Sequence, residues 1–224
     1  MKELEHLSKK ELILICKEKN IKKYSSKNKT ELVELIRTHL RKQDIALIGD
    51  TYTKDVFLEF YSLHKNYVKH RITIGIRLDI KFRLPSIPED ISENIIKFII
   101  HELGDKTSKW NCKTGDLFSI KEGKQECKTF TSKGPISFSP TISYNVIYFL
   151  DARLWLKDIF ILYKINITQH LDRWKNISVN KKQTFYDQCQ QGRRPRISWD
   201  SLYKQTSDIC EKIYEGDLEK IISL

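Results

Sequence analysis

The hydrophobic and polar positions divide the chain into two stretches with different periods. Near the N-terminus, "LSKKELILICKEKNIKKYSSKNKTELVELIRTHLRK" carries apolar residues at helical spacing in two short runs. Ser8 followed by Glu11 is a capping-box pattern ahead of Leu12, Ile15 and Cys16. Asn28 and Glu31 repeat a looser version of that signal before Leu32, Val33, Leu35, Ile36 and Leu40. Residues 1 to 43 are therefore expected to form two short helices with an extended basic connection. Periodicity is lost over residues 41 to 52, which are expected to join this module to a larger domain spanning 44 to 224.

In the larger domain, "YVKHRITIGIRLDIKFRL" alternates at Ile72, Ile74 and Ile76 and ends at Pro85, which predicts a strand. "SIPEDISENIIKFIIHELGDKTS" predicts an apolar helix, with Pro88 near its start and Gly104 near its end. Strands are predicted at 116 to 120, 125 to 130, 145 to 150 and 159 to 166, and residues 200 to 224 read as helical. That order implies an α/β fold built on a mixed sheet flanked by helices, preceded by the small helical module.

Composition narrows the class. With 224 residues, 40% hydrophobic and 11% aromatic, the chain can bury a sizeable core, and disorder is excluded. Its five cysteines form no CxxC pair, which argues against zinc and for free thiols in a reducing compartment. No apolar segment follows Met1 and no stretch approaches the roughly 20 apolar residues of a membrane span, so a soluble intracellular protein is expected. The net charge of +11 is clustered. Residues 1 to 43 hold 12 Lys and Arg against 6 Asp and Glu, and residues 161 to 199 hold 8 against 2. Two basic patches flanking a nearly neutral middle suit a polyanion held from two sides. A Lys- and Ile-rich genome would produce part of the same charge, so the chemistry has to come from motifs.

The stretch "GDLFSIKEGKQECKTF" places Asp116 ten positions before the triplet Glu126-Cys127-Lys128. In a strand Glu126 and Lys128 point to one side and Cys127 to the other. The side taken by Asp116 depends on the turn. A two-residue loop at Glu122-Gly123 would turn it away. A three-residue loop, Lys121-Glu122-Gly123, is expected because Gly123 then takes the left-handed position, and it would set Asp116 opposite Lys128 and on the same face. Two carboxylates and an ammonium on one face repel or pair until a cation arrives, and Mg²⁺ accepts two carboxylates plus a substrate phosphate. A charged hairpin with an ordinary salt bridge is the alternative.

Three neighbouring features favour chemistry. Glu102 lies in register with Ile95, Phe98 and Ile99 on the preceding helix, as a further candidate metal ligand. The loop "TSKGPISFSP", with Lys133 and Ser137, is suited to lie against a phosphate backbone. In "KKQTFYDQCQQGRRPRISW", Lys181, Lys182, Gln190, Gln191, Arg193, Arg194 and Arg196 are candidate DNA contacts, since arginine forks fit guanine edges or phosphates and glutamine fits adenine.

These segments, over roughly residues 90 to 200, resemble a type II restriction endonuclease of the PD-(D/E)XK superfamily. Thr114-Gly115 stands where the proline that names the motif would be. The resemblance implies Mg²⁺-dependent hydrolysis of double-stranded DNA to 5′-phosphate and 3′-hydroxyl ends. It also implies two active sites, usually on two subunits of a homodimer, in a prokaryotic cytoplasm. Carried over residue by residue, Asp116 and Glu126 are metal ligands, Lys128 is the catalytic lysine, and Glu102 matches an extra acid from the preceding helix. The N-terminal stretch resembles the SAP family of small DNA-binding modules, although Asn20-Ile21-Lys22 replaces a glycine often found in that loop. There Lys22, Lys23, Lys27 and Lys29 would touch phosphates without reading sequence. A plain helical hairpin remains open for the module. For the whole chain, a repair or recombination nuclease of the same fold and a catalytically inert DNA-binding protein remain open.

Overall fold

The structure, a computed structural model, describes residues 3–19, 21–36, 53–110 and 116–222. The chain divides into two compact units, Met1–Thr51 and Tyr52–Leu224. The expected connection at 41 to 52, and with it a boundary at 43, lies outside the described residues.

In the first unit, helix α1 (Lys9–Glu18) starts at a reciprocal capping box. The Ser8 backbone N–H donates to Glu11 Oε2 at 2.6 Å, and the Glu11 N–H donates to Ser8 Oγ at 3.4 Å. Helical residues 29–36, α2, begin the same way, with Asn28 and Glu31 exchanging bonds of 2.8 and 2.9 Å. Leu12, Cys16, Ile21, Leu32, Val33 and Ile36 form a small core. Lys23 turns the loop with φ 62°, a left-handed conformation that glycine adopts more cheaply.

The second unit opens with α3 (Lys54–Leu78), capped by the Thr53 hydroxyl and ended by Asp79 in the left-handed region. The strand expected over Ile72 to Ile76 is thus the last part of a 25-residue helix. Phe57, Tyr61, Val68 and Gly75, spaced 4, 7 and 7 apart, are its buried side. That helical stripe outweighs the short β-branched alternation. Helix α4 (Glu89–Glu102) follows, with Pro88 at its N-cap and Gly104 at φ 98° beyond its end.

The strands β1 (Lys109–Trp110), β2 (Leu117–Ser119), β3 (Gly123–Phe130), β4 (Pro135–Ser137), β5 (Val146–Asp151) and β6 (Ile159–Asn166) come next. Helix α5 (Leu171–Lys175), the β7 (Ser178–Asn180) and β8 (Gln183–Thr184) hairpin, α6 (Phe185–Gln190), β9 (Arg196–Ser198) and α7 (Trp199–Thr206) lead to β10 (Glu211–Asp217) and α8 (Leu218–Ile222). The main sheet has the order β1-β2-β3-β5-β6-β10. Only β3 and β5 run parallel among its pairs, so the sheet is mixed and helix-flanked, as expected. The helix expected over 200 to 224 is interrupted by β10, an edge strand paired with β6. Its polar sequence, EKIYEGD, lacks the apolar run of a central strand.

Every residue of β5 is buried, because helices or loops cover both of its faces. Tyr148 and Leu150 meet α3, α4 and α8 through Phe57, Ile95, Ile99 and Leu218. Ile147 and Phe149 meet Phe138, Trp174, Phe185 and Trp199 on the other side. The segment expected to be a loop at "TSKGPISFSP" and the Arg196 segment, one on each side of β5 in the chain, form the separate β4–β9 ladder, in which Ile136 pairs with Ile197 and Ser137 with Arg196.

Candidate active site

The β2–β3 hairpin sets the geometry. Ser119 pairs with Gly123 and Leu117 with Gln125, leaving Ile120, Lys121 and Glu122 as the loop. The loop is three residues long, but it starts one residue earlier than expected, so the register brings Asp116 level with Glu126 instead of Lys128. A shift of two positions does not change the face. Four contacts of Glu122 fix this turn. The Glu122 N–H donates to Ser119 Oγ at 2.9 Å, and the Glu122 carboxylate is drawn inward by Lys164, Tyr148 and Gln125. Gly123 has φ +75°, and a Cβ there would lie 2.5 Å from Asn145 Oδ1, the atom that accepts the Lys124 N–H. Only glycine fits that approach.

Because β2 is short, β3 runs past it, and the N–H of Cys127 would lack a strand partner. Asp116 Oδ2 accepts it at 2.6 Å. Lys128 Nζ is 2.6 Å from Glu126 Oε1, with both side chains mostly buried. Burial, and then the charge of Glu126, pushes the Asp116 carboxyl above its usual range. Burial works against the Lys128 ammonium, yet Glu126 and Asp116 together hold its pKa above the ordinary value. Cys127, facing the core, is buried and its thiol is held well up, so it is not available as a nucleophile.

A third acid completes the cluster. Glu93, from the second turn of α4, accepts the Trp110 indole N–H at 2.5 Å. Burial and the neighbouring Asp116 push it up to about 8, against the effect of that hydrogen bond. Glu89, Glu93, Asp116, Lys128 and Ser137 line a cavity of about 370 Å³. Glu102 is not brought there. It sits nine residues beyond Glu93, about 13 Å along the helix, and lies 3.7 Å from Lys54. Helical spacing could have picked out Glu93, but its position among the polar residues of the first turns concealed it.

Glu93, Asp116 and Glu126 thus face one lysine, an oxygen-rich and under-neutralised set. Among the described residues no group of three or more His, Cys, Asp or Glu is disposed to hold a metal by itself. Mg²⁺ asks less, since one or two carboxylates suffice when waters and a phosphate supply the other ligands.

A second cavity, of about 1100 Å³, shares Ser86, Thr129, Pro135 and Ile136 with the first. Arg71, Arg83, Arg153 and Arg196 line it, and no acidic side chain does. Of the sequence candidates, Arg196 reaches this cavity and Ser137 the acidic one, and the β4–β9 ladder places the two side by side. Lys133, Lys181, Lys182, Gln190, Gln191, Arg193 and Arg194 are exposed outside both. Lys22, Lys23 and Lys29 are exposed and Lys27 is half-buried on the N-terminal unit. Arg71, Arg83 and Arg153, far apart in the chain, carry no sequence signal.

Two comparisons with known proteins found a match. Over 90 residues the chain is 42% identical to the type II restriction enzyme Bsp6I of Bacillus sp. (strain RFL6). That alignment takes in 39% of this chain and 49% of the relative, so the chain spans about half the length of the curated relative it matches. No solved structure matches. No helix among the described residues is long and apolar enough to cross a membrane. The sequence profile of the Bsp6I restriction endonuclease family matches residues 52–205, more than half of the chain, with the hairpin acids, Lys128 and the arginine-lined cavity inside the match. The chain belongs to the Bsp6I restriction endonuclease family.

Proposed function

We propose that the protein is a site-specific endonuclease that hydrolyses double-stranded DNA. The observation that carries this reading is the adjacency of two cavities. One is lined by acids and one lysine, the other by arginines without an acid, and they share four wall residues. A duplex lying in the arginine-lined groove would carry its backbone to the acids. Family membership and the similarity to a type II restriction enzyme support the same reading.

Asp116 and Glu126 would hold a Mg²⁺ ion, which when bound lowers the pKa of an attacking water and neutralises charge on the phosphate. Glu93, which lines the same cavity as Asp116, would be the α4 acid that completes that set, in the role the resemblance gave to Glu102. Lys128 leaves its pairing with Glu126 to orient the water and to stabilise charge as the P–O bond breaks. The water oxygen bonds to phosphorus as the bond to the 3′ oxygen breaks; the water gives up a proton to solvent and the departing oxygen takes one up, giving a 5′-phosphate and a 3′-hydroxyl end. A homodimer would present two such sites to the two strands. The Lys-rich N-terminal unit, read as a SAP-like module, adds phosphate contacts.

Incubation with plasmid DNA and Mg²⁺ tests this reading. Discrete fragments support it. Nicks confined to junctions or lesions point to a repair nuclease, and retarded but uncut DNA points to a binding protein.

A further inference from the structure

The arginines of the large cavity are not equivalent. Arg153 is neutralised in place: its guanidinium binds both carboxylate oxygens of Asp151, and Asp200 lies 3.7 Å away. Arg71 has no carboxylate partner in the described residues, yet it is built in. Its Nη1 donates to the Tyr67 hydroxyl at 3.0 Å, and its guanidinium carbon lies 5.8 Å from the Tyr67 ring centroid and 5.1 Å from that of Phe82. Its Nε is shut off from solvent without an acceptor. Phe82 is itself held down. It packs on Gly75, where a Cβ would come within 3.1 Å of its ring and 2.7 Å of the Ile80 carbonyl. The next residue, Arg83, is exposed and lines the same cavity.

A guanidinium fixed between two rings, with no counter-ion and with unpaired cations beside it, costs stability through repulsion and desolvation unless an anion is met there. In the same cavity Arg153, by contrast, is accompanied by Asp151 and Asp200. An arginine held in place and part-buried is suited to phosphate, which takes its remaining outer donors without the entropy cost of ordering a long side chain.

We infer that Arg71 and Arg83, presented by the end of α3 and the segment after it, form a clamp for a DNA backbone phosphate beyond the one attacked. This rests on the reading that DNA occupies the groove. The clamp sets affinity and register of the duplex, and it takes no part in hydrolysis.

The test is duplex binding in metal-free buffer, measured against salt concentration with a linear DNA of mixed sequence, for the wild type, Arg71→Gln and Arg83→Gln. Each variant is expected to bind several-fold more weakly and to flatten the plot of log K against log salt by up to about 0.9, the value for full loss of one phosphate contact. Supercoiled plasmid cut with Mg²⁺ should give the same fragments as the wild type, at higher enzyme concentration. Unchanged affinity and slope in an enzyme that still cuts DNA would overturn the clamp and leave the nuclease reading standing. A wild type that neither binds nor cuts DNA would overturn the nuclease reading itself. If Arg71→Gln melts early, the slope of the exposed Arg83→Gln variant decides.

Discussion

At the scale of the residue, the proton on Glu93 is the property most open to measurement. The carboxyl is held up at about 8 by burial and by Asp116, so the folded protein keeps this proton while the unfolded chain loses it near the ordinary glutamate value. Between about pH 4.5 and pH 8 the native state therefore binds more protons, and stability falls as pH rises through that window. Glu93→Gln, which keeps an acceptor for the Trp110 N–H, should match the wild type at pH 4 and exceed it by about 1–2 kcal/mol at pH 8, a figure reduced for partial contact with water. Urea unfolding in metal-free buffer checks this, and a pH-independent difference would contradict it. The same residues show what a sequence conveys at this scale. Asp116, Glu126 and Lys128 could be placed on one face because side-chain direction in a strand depends only on whether the offset is odd or even, so an error of two in register did no harm. The helix acid was harder. Glu102 has the better apolar register, but which turn of α4 passes the hairpin depends on packing against Trp110 and Cys127.

At the scale of the element, the hairpin turn sets the site. Gly123 combines a left-handed φ with a contact that leaves no room for a Cβ against Asn145. Gly123→Ala should cost about 1–3 kcal/mol, seen as a lower urea midpoint. It should also depress cleavage more than that stability loss explains, because a shifted turn moves Asp116 relative to Glu126. A variant with normal activity and lowered stability would show that the register survives a different turn. Elements were legible where local signals agreed with packing: α4 between Pro88 and Gly104, β5 as a run buried on both faces, and the two capped helices of the N-terminal unit. They were misread where local pattern and packing diverged. The "ITIGI" segment alternates like a strand, while the residues that pack, Tyr61, Val68 and Gly75, repeat every seven positions over a longer span. β10 is polar because it lies at the sheet edge, and β4 and β9 are three residues each, too short to show a period.

At the scale of the whole molecule, the arginine groove joins residues from α3, the segment after it, the turn after β5 and β9, a grouping that only the tertiary fold creates. The N-terminal unit has its own core, apart from the family-matched unit. Deleting residues 1 to 43 is expected to weaken DNA binding and reduce its salt dependence while the cut sequence stays the same. A changed cut sequence would mean that this unit reads bases. The most direct test of the central claim sets the wild type beside Lys128→Ala on one plasmid with Mg²⁺, scoring cleavage and retention of DNA together. The account predicts discrete fragments with 5′-phosphate ends from the wild type, and DNA that is bound but at least about 100-fold more slowly cut by the variant. The same fragments at the same rate from both proteins would contradict it.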